Sequence, residues 1–288
     1  MIKCIATDMD GTLLTSNHEI SEENKTAILK AQQQGIKVVV ATGRSYQEAK
    51  YVLVDAGIDC PIICANGAEI RSEAGEVLIN NPIDLSLTRR IIEVLEQNNM
   101  YFELYTSKGT YSNDYDKAIT IIMDIFMSSS LKSDYEKSVQ AAKERFESGL
   151  IHLVDDFEKV LSDETISINK LIAFSFNKDE LEATKNQLTL LADVAVSSSG
   201  KENIEVNSIH AQKGNALAAF VEKHGISLDE TMAVGDNYND LSMFQKAGLA
   251  VAMGNAPDEI KKQATKVTDT NENHGVAKAI LATLEGEK

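Results

Sequence analysis

Apolar residues in this chain come in short runs, separated by stretches with helical spacing. Residues 2–7 form one such run. Residues 21–34 then carry acids in their first turn, a helix-type spacing of Ala27, Ile28 and Ala31, and Gly35 as a stop. The alternation continues with a strand-like run at 36–41, a helical stretch from about 45 to 57 and a strand-like run at 61–65. The resulting unit is βαβαβ. Uninterrupted β-branched residues at Val38, Val39 and Val40 imply strands buried on both faces, as in a parallel sheet covered by helices. Residues 69–79 alternate about Ala74 and Gly75 and predict a hairpin.

The same alternation returns after residue 208. It predicts helices at about 213–224, 241–247, 256–264 and 276–284, with strands at 231–235, 249–253 and near Val267. Between these halves, residues 83–207 mix alternating strands (YFELY, KLIAFSFN, DVAVSS, NIEVN) with helices rich in Lys, Glu and Gln. The fold class expected is α/β. A Rossmann-like, doubly wound parallel sheet is formed by 1–82 and 208–288, and a separate α+β cap domain is inserted at 83–207. The two crossings, near Pro82 and Ser208, are the expected hinges of a lid.

Polar chemistry gathers where the predicted parallel strands end, the place where open α/β sheets bind ligands. Asp8-Met9-Asp10-Gly11-Thr12 follows the first strand and sets two carboxylates one residue apart. A carboxylate can attack phosphorus, but two anions approach each other only with a cation between them. Thr42-Gly43-Arg44 follows the second strand and offers a hydroxyl, a close backbone and a guanidinium suited to phosphate oxygens. Lys213-Gly214 opens a helix, where ammonium and backbone N–H groups both favour an anion. Gly235-Asp236-Asn237-Tyr238-Asn239-Asp240 brings two more carboxylates. An oxygen-rich, histidine-poor set suits Mg²⁺ rather than zinc.

Each motif also has a plainer reading. Asp8 could open a calcium loop with Glu19 at the twelfth position, but the sixth position is Leu13 and a strand precedes the loop. Thr42 to Arg44 alone could be a structural turn, Lys213 a surface charge, and Asp236 and Asp240 turn or cap residues. His18, His152, His210, His224 and His274 lack ligand spacing and are taken as turn or surface residues.

Charge and composition narrow the partners. With 28 basic and 44 acidic residues the formal charge is −16, which disfavours nucleic acid and anionic lipid at long range. A cleft binding a small phosphate must then supply its own positive charge. Apolar runs fall well short of the roughly 20 residues of a membrane span. The opening IKCIATD has no leader pattern, so a cytoplasmic location is expected. Cys4, Cys60 and Cys64 lack metal spacing and are expected as reduced core residues.

In this order, the motifs resemble those of the haloacid dehalogenase superfamily, and within it the Cof-like phosphatases of subclass IIB. That family shows Asp-x-Asp-Gly-Thr, a strand ending in Thr-Gly-Arg, a Lys-Gly pair and Gly-Asp-x-x-Asn-Asp, as at Asp8 to Thr12, Thr42 to Arg44, Lys213 and Gly214, and Gly235 to Asp240. An Asn-Gly-Ala segment, here Asn66 to Ala68, also occurs in these relatives. The resemblance implies a phosphatase acting on small phosphorylated metabolites such as sugar phosphates. It implies Asp8 as nucleophile, Asp10 as general acid and base, and Thr42 and Lys213 as phosphate clamps, with Gly11, Gly43, Arg44 and Asn239 lining the substrate site. Mg²⁺ would be held by Asp8, the Asp10 carbonyl and Asp236, with Asp240 in support. An acid role for Asp10 requires surroundings that raise its pKa relative to Asp8. Three alternatives stay open: a phosphomutase of the same superfamily, a non-catalytic binding protein, and a receiver domain, whose roughly 120 residues leave no room for the insert.

Overall fold

The computed structural model describes residues 1–128, 140, 143–200 and 202–286. In chain order the strands are β1 (Cys4–Thr7), β2 (Lys37–Ala41), β3 (Ile62–Cys64), β4 (Glu69–Arg71), β5 (Val77–Asn80), β6 (Tyr101–Thr106) and β7 (Gly109–Ser112). They continue as β8 (Ile151–Leu153), β9 (Ile168–Phe174), β10 (Val194–Ser197), β11 (Asn203–Ser208), β12 (Thr231–Gly235), β13 (Leu249–Ala252) and β14 (Lys266–Val267). The chain divides into two compact units, Met1–Asn81 with His210–Lys288, and Pro82–Ile209.

The first unit carries a sheet of order β14-β13-β12-β1-β2-β3-β4-β5. Pairing is parallel from β14 to β3 and antiparallel across β3, β4 and β5. Period-2 alternation sorts its residues into two cores. Ile5, Val38, Val40, Met232 and Val234 face one layer with Ala27, Ile28, Leu53 and Ile280, from the helices Glu22–Gln33, Tyr46–Ala56 and Gly275–Leu284. Cys4, Ala6, Val39, Ala41 and Ala233 face the other, with Leu217, Phe220, Met243 and Ile260 from the helices Lys213–Lys223, Leu241–Phe244 and Asp258–Lys261. Both faces are thus dry, which is why the central strands read as continuous apolar runs.

Two helices are shorter than their apolar spacing predicts. Leu241–Phe244 is followed at once by a turn that lets Gly248 N–H donate to Leu228 O at 2.8 Å, and Asp258–Lys261 begins after Pro257, whose ring keeps the preceding residue out of helical conformation.

The second unit holds a sheet of order β10-β11-β9-β6-β7-β8, antiparallel except for the β7–β8 pair. Phe102, Leu104, Leu171, Ala173, Ile204 and Val206 pack on Ile91, Leu95 and Leu188 of the helices Leu85–Gln97 and Lys178–Thr189. Part of the predicted Lys- and Glu-rich helical stretch lies outside the described residues. Among the described residues, no helix is long and apolar enough to cross a membrane.

Candidate active site

β1 is the hub of the parallel sheet, with β2 on one side and β12 on the other, so the chain reverses its winding between β1 and β12. Loops diverge at such a switch point and leave a crevice beyond the strand ends. Asp8 follows β1 directly, its N–H donating to Val234 O of β12 at 3.0 Å. The chain then makes a tight turn in which Gly11 has φ +77°. Glycine is required there twice over: the conformation is left-handed, and a Cβ would lie 2.5 Å from Asp236 Oδ2.

The centre of the crevice is a buried charge cluster. Lys213 Nζ, with no solvent exposure, donates to Asp8 Oδ1 at 2.6 Å and to Asp240 Oδ1 at 2.7 Å. Its partner Asp240 also accepts the backbone N–H groups of Asp236 (2.9 Å) and Asn237 (3.0 Å) on Oδ2, so both of its oxygens are engaged. Thr12 Oγ1 donates to Asp236 Oδ1 at 2.7 Å. Carboxylate oxygens of Asp8, Asp236 and Asp240 all lie within 4.8 Å of one another.

Three carboxylates thus face one ammonium, and the protonation energetics reflect the imbalance. Burial pushes Asp8 well above the ordinary carboxylate range; Lys213 offsets part of this, and the charges of Asp240 and Asp236 add to it. Burial and the Asp240 charge likewise push Asp236 up to about 6. Burial disfavours the charged form of Lys213, but Asp240 and Asp8 outweigh it and hold the ammonium above its usual range. A second cation is the simplest relief for such a set. The donors fit a hard divalent ion: oxygen only, with Asp8 Oδ2 and Asp236 Oδ2 carrying no hydrogen bond among the described residues once Lys213 and Thr12 have taken Oδ1 of each.

Asp10 stands outside this cluster. Its half-exposed carboxyl is forked by Arg44, with Nε 2.8 Å from Oδ2 and Nη2 2.6 Å from Oδ1, and His18 Nδ1 lies 3.8 Å from Oδ1. Surrounding protein raises its pKa, but His18 and Arg44 together outweigh that and hold it below the usual carboxylate range. This corrects the expectation from sequence: in this conformation Asp8 is the carboxyl pushed up and Asp10 the one held ionised. It also places Arg44 on a carboxylate rather than on an open phosphate position, and brings His18, read as a turn residue, beside Asp10.

The remaining predicted residues lie in the loops that follow β2 and β12. Thr42 is fully buried, and its Oγ1 accepts the Arg44 N–H at 3.1 Å across Gly43. Ser45 then starts the next helix with a reciprocal cap to Glu48, which fixes where this loop ends. Gly214 N–H donates to Ser242 Oγ at 3.0 Å, and a Cβ on Gly214 would fall 1.9 Å from Ser242 O, so the Lys213 helix can dock there only with glycine. Asn239 Nδ2 donates to Asn66 Oδ1 at 3.1 Å. Thr12, Asn66 and Ser242 were not among the predicted site residues. Thr12 could have been found, since it completes the first motif, and Asn66 opens the Asn-Gly-Ala segment; nothing local marks Ser242.

The fold agrees with comparison to known proteins. A family model described as haloacid dehalogenase-like hydrolase matches residues 5–280. The Bacillus subtilis (strain 168) phosphatase YwpJ is 37% identical over 278 residues, covering 96% of this chain and 98% of its own. The 5-amino-6-(5-phospho-D-ribitylamino)uracil phosphatase YwtE of the same organism is 37% identical over 287 residues, covering 99% of each chain. A solved haloacid dehalogenase-like hydrolase from B. subtilis superimposes with a TM-score of 0.88 at 37% identity, covering 97% of this chain and 99% of that one. By its motifs, its fold and these full-length matches, the chain belongs to the haloacid dehalogenase-like hydrolases and is a phosphoric monoester hydrolase.

Proposed function

We propose that this enzyme is a Mg²⁺-dependent phosphatase of small phosphorylated metabolites of the cytoplasm, working through a phospho-aspartate on Asp8. The observation that carries the reading is the division of labour between two carboxyls one residue apart. Asp8 is buried and held by Lys213 at 2.6 Å, while Asp10 is half-exposed and held by Arg44. Lys213 offsets the charge of the nucleophile as it meets an anionic phosphoryl group, and the half-exposed Asp10 carboxyl can exchange a proton with water once Arg44 turns to the phosphate.

A carboxylate oxygen of Asp8 attacks phosphorus in line, the bond from phosphorus to the leaving oxygen breaks, and Asp10 gives that oxygen its proton. Water then attacks phosphorus of the Asp8 acyl phosphate, Asp10 takes the proton of that water, and inorganic phosphate leaves with the Asp8 carboxylate restored. A phosphate group that draws the guanidinium of Arg44 to itself releases Asp10 to hold a proton. Thr42, Lys213 and Asn239 hold the phosphoryl oxygens. Asp8, the Asp10 carbonyl and Asp236 would hold Mg²⁺, with Asp240 fixing Lys213 and the Asp236 loop. When bound, the metal supplies the positive charge that lets an anionic nucleophile approach an anionic phosphoryl group.

All these residues lie in Met1–Asn81 and His210–Lys288, so we assign recognition of the organic part of the substrate to Pro82–Ile209, as a specificity cap. The test is a panel of phosphorylated metabolites with MgCl₂. It should contain hexose phosphates and 5-amino-6-(5-phospho-D-ribitylamino)uracil, for which the relative YwtE is named. Release of inorganic phosphate, its loss with EDTA, and an acid-stable label on Asp8 that Asp8→Asn lacks are expected. Transfer of phosphate to a second sugar instead of water would indicate a mutase.

A further inference from the structure

The loop after β3 belongs to none of the four motifs, yet it touches three of them. Ala65 and Asn66 both have left-handed backbone, with φ +46° and +59°, and Gly67 follows at +101°. Asparagine tolerates that region and alanine does not, so the turn is held from outside. The holding contacts are all around the crevice. Ala65 N–H donates to Arg44 O at 2.8 Å and Asn66 N–H to Thr42 O at 2.9 Å, which fastens the turn to the second motif. Gly67 lies against the backbone just before Lys213, where a Cβ would fall 2.6 Å from Gln212 O. Asn66 Oδ1, on a side chain almost wholly buried, accepts Asn239 Nδ2 at 3.1 Å in the fourth motif. Asn239 Oδ1 is buried with no partner among the described residues, so the bond to Asn66 is what fixes the plane of this amide.

We propose that Asn66 is a positioning residue for the phosphate site. By accepting one Nδ2 proton of Asn239 it aims the second at a phosphoryl oxygen, and through its own N–H it ties that amide to the carbonyl of Thr42. The strained turn thereby fixes the distance between the second and fourth motifs. This rests on the phosphatase reading above.

Asn66→Gly tests it, because glycine keeps the left-handed backbone and removes the side chain. The expected result is a loss of about tenfold in kcat/KM, the effect of one lost polar contact, with an equal rise in the inhibition constant of inorganic phosphate. In an Asn239→Ala background the same change should cost less than about twofold, since its route of action is already gone. Losses that multiply, or a fall in kcat/KM with the phosphate inhibition constant unmoved, would overturn the assignment. A second measurement uses the unaltered enzyme and so does not depend on the variant folding. With ¹⁵N-labelled asparagine, the side-chain amide signals of Asn66 and Asn239 should move together as inorganic phosphate is added, and an Asn239 signal that stays put while phosphate inhibits would overturn it. A wild-type protein that neither hydrolyses the panel nor is inhibited by phosphate sinks the phosphatase reading itself; a working enzyme with multiplicative losses sinks the role of Asn66 alone.

Discussion

Arg44 holds Asp10 in a two-pronged grip, Nε to Oδ2 at 2.8 Å and Nη2 to Oδ1 at 2.6 Å. Such a fork stabilises the ionised carboxylate, the form unable to protonate a leaving group. In the mechanism proposed above, Arg44 sets when Asp10 can act. Arg44→Met keeps the stem and removes the charge, which raises the pKa of Asp10. The alkaline limb of the kcat/KM profile, which reports the free enzyme in which Arg44 grips Asp10, should move to higher pH, while KM rises through loss of a phosphate contact. A limb at the same pH in Arg44→Met and wild type would mean that Asp10 is not the group seen.

Asp10→Asn extends the same reasoning to the leaving group. An amide cannot donate a carboxyl proton, so the loss should be large for alkyl phosphates and small for aryl phosphates, whose leaving oxygens depart without protonation. Comparing kcat for the two classes gives the answer, and equal losses would argue against an acid role.

Lys213 is fully buried between Asp8 and Asp240, and its removal leaves both carboxylates without their shared cation. Breaking a buried pair from one side costs about 3–5 kcal/mol, because the remaining charge stays buried. Lys213→Met should lower the urea midpoint by a corresponding amount and abolish activity. Adding Asp240→Asn removes one stranded charge and should recover part of the stability but none of the activity. Recovery of neither would show that the cost lies in packing instead.

Much of this could be read from the chain because it is local. β1, β2 and β12 are apolar on both faces, so their runs stand out, and each motif sits within a few residues of a strand end. Contacts between distant segments left no such trace. Arg44 and Asp10 are 34 residues apart, and no spacing rule says that a guanidinium following one strand will turn to the carboxylate following another. Asn66 and Asn239 are separated by 173 residues and meet only because β3 and β12 share a sheet. Strands β7 and β8 escaped notice since GTYS and IHL are too short to show a period.

Cys4, Cys60 and Cys64 are unpaired and buried, and burial pushes Cys4 and Cys60 up to about 12 and Cys64 well above the ordinary thiol range. A raised thiol pKa means almost no thiolate at neutral pH, and the thiolate is the reactive form. An aromatic disulfide reagent at about pH 8, where an ordinary thiol is partly ionised, should find no reactive thiol in the folded enzyme and all of them in urea. Fast labelling of the folded protein would mean that one of these sites opens locally.

Metal binding should depend on pH through Asp236. Burial and the neighbouring Asp240 push its carboxyl up to about 6 in the metal-free protein. An ordinary Asp titrates at about 3.9, so between these values the folded state holds a proton that the unfolded state has released. By linkage, this group makes metal-free stability fall as pH rises through that window, with the full cost present above about 6. Asp8, also pushed up, acts in the same direction. A divalent ion binds the ionised carboxylates and cancels their repulsion, so its stabilising effect is opposed by protons at low pH and unopposed above the window. Millimolar MgCl₂ should therefore raise the melting temperature little at about pH 5 and clearly at about pH 7.5, where a ligand at a hundred times its Kd adds about 2.7 kcal/mol. Asp236→Asn should be more stable than wild type without metal at the higher pH, and should lose the response to MgCl₂. A magnesium shift of equal size at both pH values, or one that survives Asp236→Asn, would place the ion elsewhere.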